Sequence, residues 1–222
     1  MSAGRLFDYA NPGSVVSRLR RRRIYVLRRM ILRVPDCRIL DVGGEASYWT
    51  NNLGLDWLRR HRVRVTLLNH TAEYVGDDLD PDVFAVVIAD GCRLPYLTNA
   101  FDLVHSNSVI EHVGDHARQA AFAKEVWRVG RWFYLQTPAR CFPLEPHTRF
   151  PWFQYLPSAA RVWLLCHVRL GTYPRVDAAR AREIDAELRL LSARQVRCLF
   201  PTAVIRRERL FGLTKSYMAT SR

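Results

Sequence analysis

Arg38-Ile39-Leu40-Asp41-Val42-Gly43-Gly44-Glu45 is the stretch that decides the fold. Its apolar-leaning first half predicts a buried parallel strand, because strands that are covered on both faces read as nearly continuous apolar runs. The two glycines allow a sharp turn and a close approach of the backbone to a ligand. Residues 45–60 can then continue as a helix. A strand, a glycine turn and a helix in this order predict a ligand at the carboxyl end of the strand.

The glycine spacing limits what that ligand can be. It does not match G-x-G-x-x-G, so the stretch disfavours a site that cradles the phosphates of a dinucleotide. Two adjacent glycines after a strand also occur in loops that bind nothing. Taken alone, the stretch leaves a plain structural turn and a nucleoside site equally open.

Length and composition predict one α/β domain. The chain has 222 residues, 49% of them apolar, which is enough for one sizeable core. Its five cysteines form no C-x-x-C pair and no charged, apolar and small-residue leader opens the chain, so we expect a reduced, cytoplasmic protein without a disulfide frame or a zinc cluster. No run approaches the ~18 to 20 apolar residues of a membrane-spanning helix.

The net positive charge of the chain suggests an anionic binding partner. The net charge is +13, and only Lys124 and Lys215 are lysines, so nearly all of the positive charge is arginine. RNA, a lipid headgroup surface or an acidic substrate would suit it, although arginine bias is equally typical of genome composition. A helix predicted from about Val15 to Arg33 carries many of these arginines opposite an apolar stripe. It is either a basic helix on a membrane or nucleic acid, or, as we favour, a docked helix with a solvated face.

Further apolar runs alternate with helical patterns. Strands are predicted in four of them: Val63–Asn69, Val83–Gly91, Phe101–Asn107 and Arg131–Gln136. A candidate helix start lies at Val109–Val113, and an amphipathic helix is expected over 115–128. The alternation predicts a doubly wound parallel sheet. Polar residues end three strands in a row, and these ends should share one edge of the sheet with the glycines.

The segment from Pro138 to Leu191 interrupts this alternation. Its prolines and several aromatic residues favour a lid or a pocket wall, with helices near 158–169 and 178–191. Ser192 to Gln195 reads as a capping box that opens a short helix. Two strands, 203–210 and 215–220, then form a hairpin around Gly212 and close the sheet.

Four segments resemble the class I S-adenosylmethionine-dependent methyltransferases, and within them the small-molecule type 11 group. They are Ile39–Gly44, Asp90–Pro95, Phe101–Val113 and Gly212–Ser216. The resemblance implies a Rossmann-like seven-stranded sheet with one antiparallel strand. We expect a single methyltransferase domain over 1–222, with an N-terminal helix (1–35), a cofactor-binding core (36–138), a lid-like insertion (139–191) and a closing helix and hairpin (192–222).

The resemblance also implies that S-adenosylmethionine lies across the carboxyl edge of the sheet. By position, Asp41, Gly43 and Gly44 would approach the methionine and ribose, Asn69 the ribose hydroxyls, Asp90 the adenine amine, and Ser106 or Asn107 the methionine end. Glu45, Gly91 and Cys92 complete the expected cofactor-binding set. Glu45 and Ser47 stand where the family has further glycines, and Asn69 where it commonly has a carboxylate, which keeps a non-catalytic relative open.

Methyl transfer to oxygen or nitrogen needs a group that removes the acceptor's proton. His112 is the first candidate, because it follows the fourth strand and imidazole titrates near neutral pH. Glu145 and His147 are the second. Each of these residues can instead be structural, as we expect for His105. No metal ligand set is predicted.

The sequence therefore predicts transfer of a methyl group to an O, N or C atom of a small-molecule or lipid-like acceptor. Arg140, Arg149 and Arg161 could hold an anionic group of it. Two alternatives stay open: an RNA methyltransferase, suggested by the charge, and a degenerate non-catalytic partner protein, suggested by Glu45 and Asn69. Peripheral contact with a membrane is also compatible with the charge.

Overall fold

The computed structural model describes residues 15–71 and 79–221, with side chains from residue 17. They fall into two compact units. Unit 1 comprises the described residues up to Ser106 together with Val126–Tyr134, and unit 2 comprises Asn107–Glu125 together with the described residues from Leu135 onward. The single-domain expectation stays a prediction. The turn that the sequence predicts at Asn11-Pro12-Gly13 and the first half of the turn-rich stretch predicted over 76–81 lie outside the described residues. Within them, no helix is long and apolar enough to cross a membrane.

The described chain contains seven α-helices and seven strands. The helices are α1 (Val15–Ile31), α2 (Ala46–Leu53), α3 (Leu55–Arg60), α4 (His116–Val129), α5 (Ser158–His167), α6 (Ala178–Glu187) and α7 (Ala193–Leu199). The strands are β1 (Arg38–Val42), β2 (Arg64–Asn69), β3 (Phe84–Ile88), β4 (Phe101–Asn107), β5 (Gly130–Pro138), β6 (Val204–Leu210) and β7 (Leu213–Thr220). A 3₁₀ turn spans Phe153–Tyr155.

The strands form one sheet in the order β3-β2-β1-β4-β5-β7-β6. β1 pairs in parallel with β2 and β4, and β2 pairs in parallel with β3. β6 and β7 pair antiparallel. The doubly wound, Rossmann-like seven-stranded sheet that the sequence predicted is confirmed. The strand order reverses between β1 and β4, and the carboxyl ends of these two parallel strands lie at the same edge of the sheet.

Unit 1 is built around β1. Ile39, Leu40 and Val42 are buried, as expected of a strand with a neighbour on each side. α1 buries Leu19, Leu27, Met30 and Ile31. Most of its arginines are exposed, and the Arg28 guanidinium lies 5.0 Å from the centroid of the Trp57 ring. The burial pattern agrees with a docked helix whose charged face is solvated.

Two expectations for unit 1 were wrong. The helix expected over 45–60 is two helices, because Gly54 adopts φ 84 and ψ 140 between them, a conformation that interrupts the helical hydrogen bonds. Trp49 is fully buried, but Trp57 is only partly so. The run around β3 is not buried throughout, since Val86 and Ile88 are 38% and 50% exposed. β3 is the edge strand of the sheet, which explains the exposure.

Unit 2 contains a third correction. Val109–Val113 is a turn and not a helix start, and α4 begins only at His116. Gly114 has φ 110, which breaks any helix from that turn. Asp115 then accepts a hydrogen bond from the backbone N of Arg118 at 2.9 Å and so caps the new helix.

The insertion after β5 has its own core. Phe153, Leu165, Leu170, Ala181, Ile184, Leu188 and Leu190 are buried together. α5 and α6 end at His167 and Glu187, earlier than expected, because the leucines after α6 leave the helix to join this core. The capping box of Ser192 and Gln195 and the closing hairpin are both confirmed.

Candidate functional site

The glycine turn after β1 is shaped by the chain itself. Gly43 has φ 72, a left-handed conformation that favours glycine, and its N–H donates to the Leu68 carbonyl at 2.7 Å. A Cβ on Gly44 would overlap the carboxylate of Asp41. One glycine is therefore needed for its backbone conformation and the other for the space that Asp41 takes.

Asp41 is bound by two aromatic side chains of its own unit. Its Oδ2 accepts from Trp49 Nε1 at 2.7 Å, and its Oδ1 lies 2.6 Å from His105 Nδ1. Both Asp41 and His105 are 1% exposed. The carboxylate that we expected to face the cofactor thus holds the glycine turn, α2 and β4 together. His105 was expected to be structural, but its pairing with Asp41 could not be read from positions 64 residues apart.

Two other expected residues lie at the ends of their strands. Asn69 is the last residue of β2, is buried, and donates from Nδ2 to the Gly44 carbonyl at 2.9 Å. Asp90 follows β3, is exposed, and accepts from the backbone N of Cys92 at 2.9 Å. Gly91 and Cys92 form the half-buried turn beside it. Asn69 therefore supports the glycine turn, whereas Asp90 keeps a carboxylate at the surface.

Ser106 carries the clearest sign of a ligand in unit 1. Its side chain is 1% exposed, and its Oγ has no hydrogen-bond partner among the residues that the structure describes. Such a group costs about 1–3 kcal/mol when nothing binds it. Asn107, the first residue of unit 2, has a buried Oδ1 that also lacks a hydrogen-bond partner among the described residues. Glu45 is exposed at the start of α2 and accepts from Ser47 Oγ at 3.1 Å.

Unit 2 brings the three candidate catalytic residues together. His112 Nε2 lies 3.1 Å from His147 Nε2, and His147 Nδ1 lies 2.7 Å from Glu145 Oε1. Glu145 is fully buried and also accepts from the backbone N of His147 and of Thr148. The His147 side chain thus bridges those of His112 and Glu145. We name these three residues the histidine cluster.

Glu111 is a neighbour of the histidine cluster that the sequence did not single out. It is fully buried, and its Oε2 accepts from Thr137 Oγ1 at 2.9 Å. Its Oε1 is buried without a partner among the described residues. Its position next to His112 was the available signal, but a helix starting at Val109 would have pointed the two side chains in different directions.

Burial and mutual contact shift the pKa values in this group. Burial raises the pKa of Glu111 to about 7, and burial and the His147 charge lower the pKa of His112 to about 4. Burial alone would raise the pKa of Glu145, but its hydrogen bonds and the charge of His147 lower it. Burial alone would lower the pKa of His147, but Glu145 raises it. The pair therefore favours a charged His147 beside a neutral His112.

The loop that carries His147 is held firmly. The His147 carbonyl accepts from Thr172 N at 2.9 Å and from Thr172 Oγ1 at 3.1 Å. Gly171 has φ 52 and no room for a Cβ against the same carbonyl. These contacts fix the backbone at His147.

Residues 40–131 match the sequence profile of the family described as methyltransferase domain. Residues 40–131 are therefore assigned to a methyltransferase domain. The match starts inside β1 and includes every residue expected to bind the cofactor, together with Glu111 and His112. Glu145 and His147 lie beyond the matched residues. The reaction class of the enzyme is methyl transfer, and the sequence matches no protein of curated function.

Solved structures share the fold of the methyltransferase domain at low identity. A possible exported protein from Bordetella parapertussis is 16% identical over 92% of this chain and 68% of its own, with a TM-score of 0.54. A putative zinc-dependent alcohol dehydrogenase from Rhodobacter sphaeroides is 11% identical over 90% of this chain and 89% of its own, with a TM-score of 0.55. The methyltransferase domain of the bacterial protein CtHen1-CN is 12% identical over 91% of this chain and 98% of its own, with a TM-score of 0.53. At these identities the likeness shows the fold alone.

Proposed function

We propose that this enzyme transfers the methyl group of S-adenosylmethionine to an O, N or C atom of a small-molecule or lipid-like acceptor. The observation that carries the cofactor assignment is the buried Ser106 hydroxyl near the end of β4, which has no hydrogen-bond partner among the described residues. A hydroxyl in that position can donate to a carboxylate or accept from an ammonium group, both of which the methionine portion has.

The other residues at the sheet edge fit the same cofactor. The exposed carboxylate of Asp90 can accept from the adenine amine, and Asn69 supports the turn of Gly43 and Gly44, where the lack of side chains allows close contact with the backbone. Asp41 acts through Trp49 and His105, so it is a positioning residue in this proposal. When bound, S-adenosylmethionine supplies a methyl group already activated on sulfur.

The histidine cluster is proposed to activate the acceptor. An acceptor O–H or N–H must lose its proton during transfer, and residues that handle such a proton contribute about 10²–10⁴-fold to rate. His112 and His147 are partly buried, so a substrate can reach them from solvent. Glu145 holds His147 in one orientation through Nδ1.

Exposed aromatic side chains of the insertion support an apolar acceptor. Trp152, Tyr155 and Trp163 are each at least half exposed. The Arg140 guanidinium lies 5.6 Å from the centroid of the Tyr155 ring, beside which an anionic group could bind. Arg161 is not free for that role, because its Nε lies 2.5 Å from Asp185 Oδ1 and its side chain is only 15% exposed.

Calorimetric titration of the full chain with S-adenosylmethionine and S-adenosylhomocysteine tests the cofactor assignment. We expect micromolar binding of both, weakened about tenfold or more in Asp90→Ala and Ser106→Ala, since each loses a hydrogen bond to a charged or polar group. Asp82→Ala, which removes an exposed carboxylate of the same unit, is the control. Absence of binding at millimolar ligand would favour the non-catalytic partner protein instead.

Acceptor identity is tested with cofactor labelled on its methyl group. Small-molecule and lipid extracts should take up label, and RNA should not. His112→Ala should lower kcat by about 10²–10⁴-fold and leave cofactor affinity unchanged. Labelling of RNA alone would replace the small-molecule proposal with RNA methylation.

A further inference from the structure

We infer that Glu111, His112 and His147 form a binding site for one divalent transition-metal ion of the zinc type. All three residues belong to unit 2, and their ligand atoms lie within 4.8 Å of one another. Any role of the ion in catalysis rests on the proposed function, since His112 and His147 also belong to the histidine cluster. Binding of the ion does not depend on the proposed function. We name the three residues the triad.

The two imidazoles already have the spacing of co-ligands. His112 Nε2 and His147 Nε2 are 3.1 Å apart. Two nitrogens at bonds of about 2.0–2.1 Å from a tetrahedral zinc ion are separated by about 3.3 Å. Both rings therefore already bring Nε2 to almost that separation, and a small outward shift makes room for an ion.

Glu111 provides the third ligand. Its Oε2 is occupied by Thr137, whereas its buried Oε1 has no partner in the described part of the chain. A hydrogen bond between the two histidines explains their short distance, but it leaves Oε1 unsatisfied at a substantial cost. A cation beside both nitrogens accounts for all three atoms at once.

Surrounding residues orient these ligands as expected around a metal. His147 Nδ1 is bound to the Glu145 carboxylate, which directs Nε2 away from it. A carboxylate that fixes a ligating imidazole through its other nitrogen is the common outer shell of such sites. Thr137 does the same for Glu111, and Thr172 fixes the loop of His147.

The donor set selects the kind of ion. Two imidazole nitrogens and one carboxylate suit zinc and neighbouring transition metals, whereas calcium and magnesium prefer oxygen ligands alone. Three protein ligands leave a coordination position open, as catalytic zinc sites do. An acceptor oxygen bound there would lose its proton more readily, because the ion lowers its pKa.

The test measures binding of Zn²⁺ and Co²⁺ to the full chain after removal of metal with a chelator. We expect one equivalent of Zn²⁺ at micromolar affinity or tighter, and visible absorption bands of Co²⁺ bound in a low-symmetry nitrogen and oxygen site. Glu145→Gln should weaken binding roughly 10–100-fold, as outer-shell changes do. His112→Ala and His147→Ala should weaken it further, and Glu111→Gln should also weaken it. His167→Ala, a histidine of the same unit outside the cluster, should not.

Either of two results would overturn the inference: no Zn²⁺ binding at micromolar concentration, or one-equivalent binding that survives both alanine variants. Circular dichroism of each variant separates loss of ligands from loss of folding, and Glu111→Gln preserves side-chain size if the alanine variants fail to fold. Titration of S-adenosylmethionine on the same samples keeps the two proposals apart. Cofactor binding without metal binding would reject only the metal site, and the reverse result only the cofactor assignment.

Discussion

At the scale of single residues, the structure assigns Asp41 a different task from the one expected. A carboxylate only accepts hydrogen bonds, and the two groups around it, Trp49 Nε1 and His105 Nδ1, can both donate. Burial makes these bonds strong and makes their loss costly. We therefore propose that Asp41 affects ligand affinity through the position of Gly44 and of the backbone around it.

Replacement of Asp41 by Asn tests this network. An amide presents one oxygen where the carboxylate presents two, so Trp49 or His105 loses its acceptor. We expect the free energy of unfolding to fall by about 1–3 kcal/mol, measured by urea denaturation.

Asp36→Asn is the matched control for that experiment. Asp36 is exposed and lies 2.6 Å from Arg62 Nε at the surface, where an ion pair contributes at most about 1 kcal/mol. Equal effects of the two substitutions would contradict the structural role of Asp41.

At the scale of secondary-structure elements, the hairpin of β6 and β7 has a strained backbone conformation at Phe211. Leu210 pairs with Leu213, so the loop has two residues, Phe211 and Gly212. They have φ 51 and φ 79. Two-residue loops with positive φ at both positions favour Asn-Gly, because Asn tolerates the left-handed conformation better than bulky side chains do. Phe211 is 72% exposed, so little packing offsets its strain.

We therefore expect Phe211→Asn to stabilise the protein by about 1 kcal/mol. The midpoint of urea unfolding should rise with no change in the slope. Leu97→Asn replaces another highly exposed apolar residue, one without positive φ, and should change stability by less than about 0.5 kcal/mol. A loss of stability in Phe211→Asn would show that the Phe211 side chain contributes packing that outweighs the strain.

At the scale of the whole molecule, the net charge of +13 is the dominant surface property. α1 buries its apolar stripe within unit 1, so its arginines face solvent as ordinary surface charge. Attraction of such charge to polyanions is long-ranged and weakens as salt screens it. We therefore attribute any association with anionic surfaces to total charge and not to α1.

A pair of triple substitutions tests this attribution. Arg18, Arg21 and Arg22 of α1 are changed to Gln in one variant, and Arg206, Arg207 and Arg209 of β6 in the other. All six residues are exposed. Co-sedimentation with phosphatidylserine vesicles at low salt should fall equally in both, and little should remain at about 0.15 M salt. Loss confined to the α1 variant would identify that helix as a membrane-docking element.

Local features of this protein were predictable from sequence because they depend on neighbouring residues. The run Ile39–Val42 with its glycines specified strand and turn, and Ser192 with Gln195 specified a helix start. Apolar periodicity placed α1 and α4 to within a few residues. The boundaries that failed, at Gly54 and Gly114, depend on backbone conformations that glycine permits but does not require.

The sequence by itself determined the order of strands and helices, and its motifs indicated a resemblance to methyltransferases and a set of candidate cofactor-binding residues. Only the tertiary structure decided which side chains meet. It joined Asp41 to His105 across 64 positions and His112 to His147 across 35, and within the described part of the chain it gave Oε1 of Glu111 no hydrogen-bond partner. Apolar periodicity records which face of an element is buried, whereas a polar site depends on how distant segments approach, and no local pattern encodes that approach.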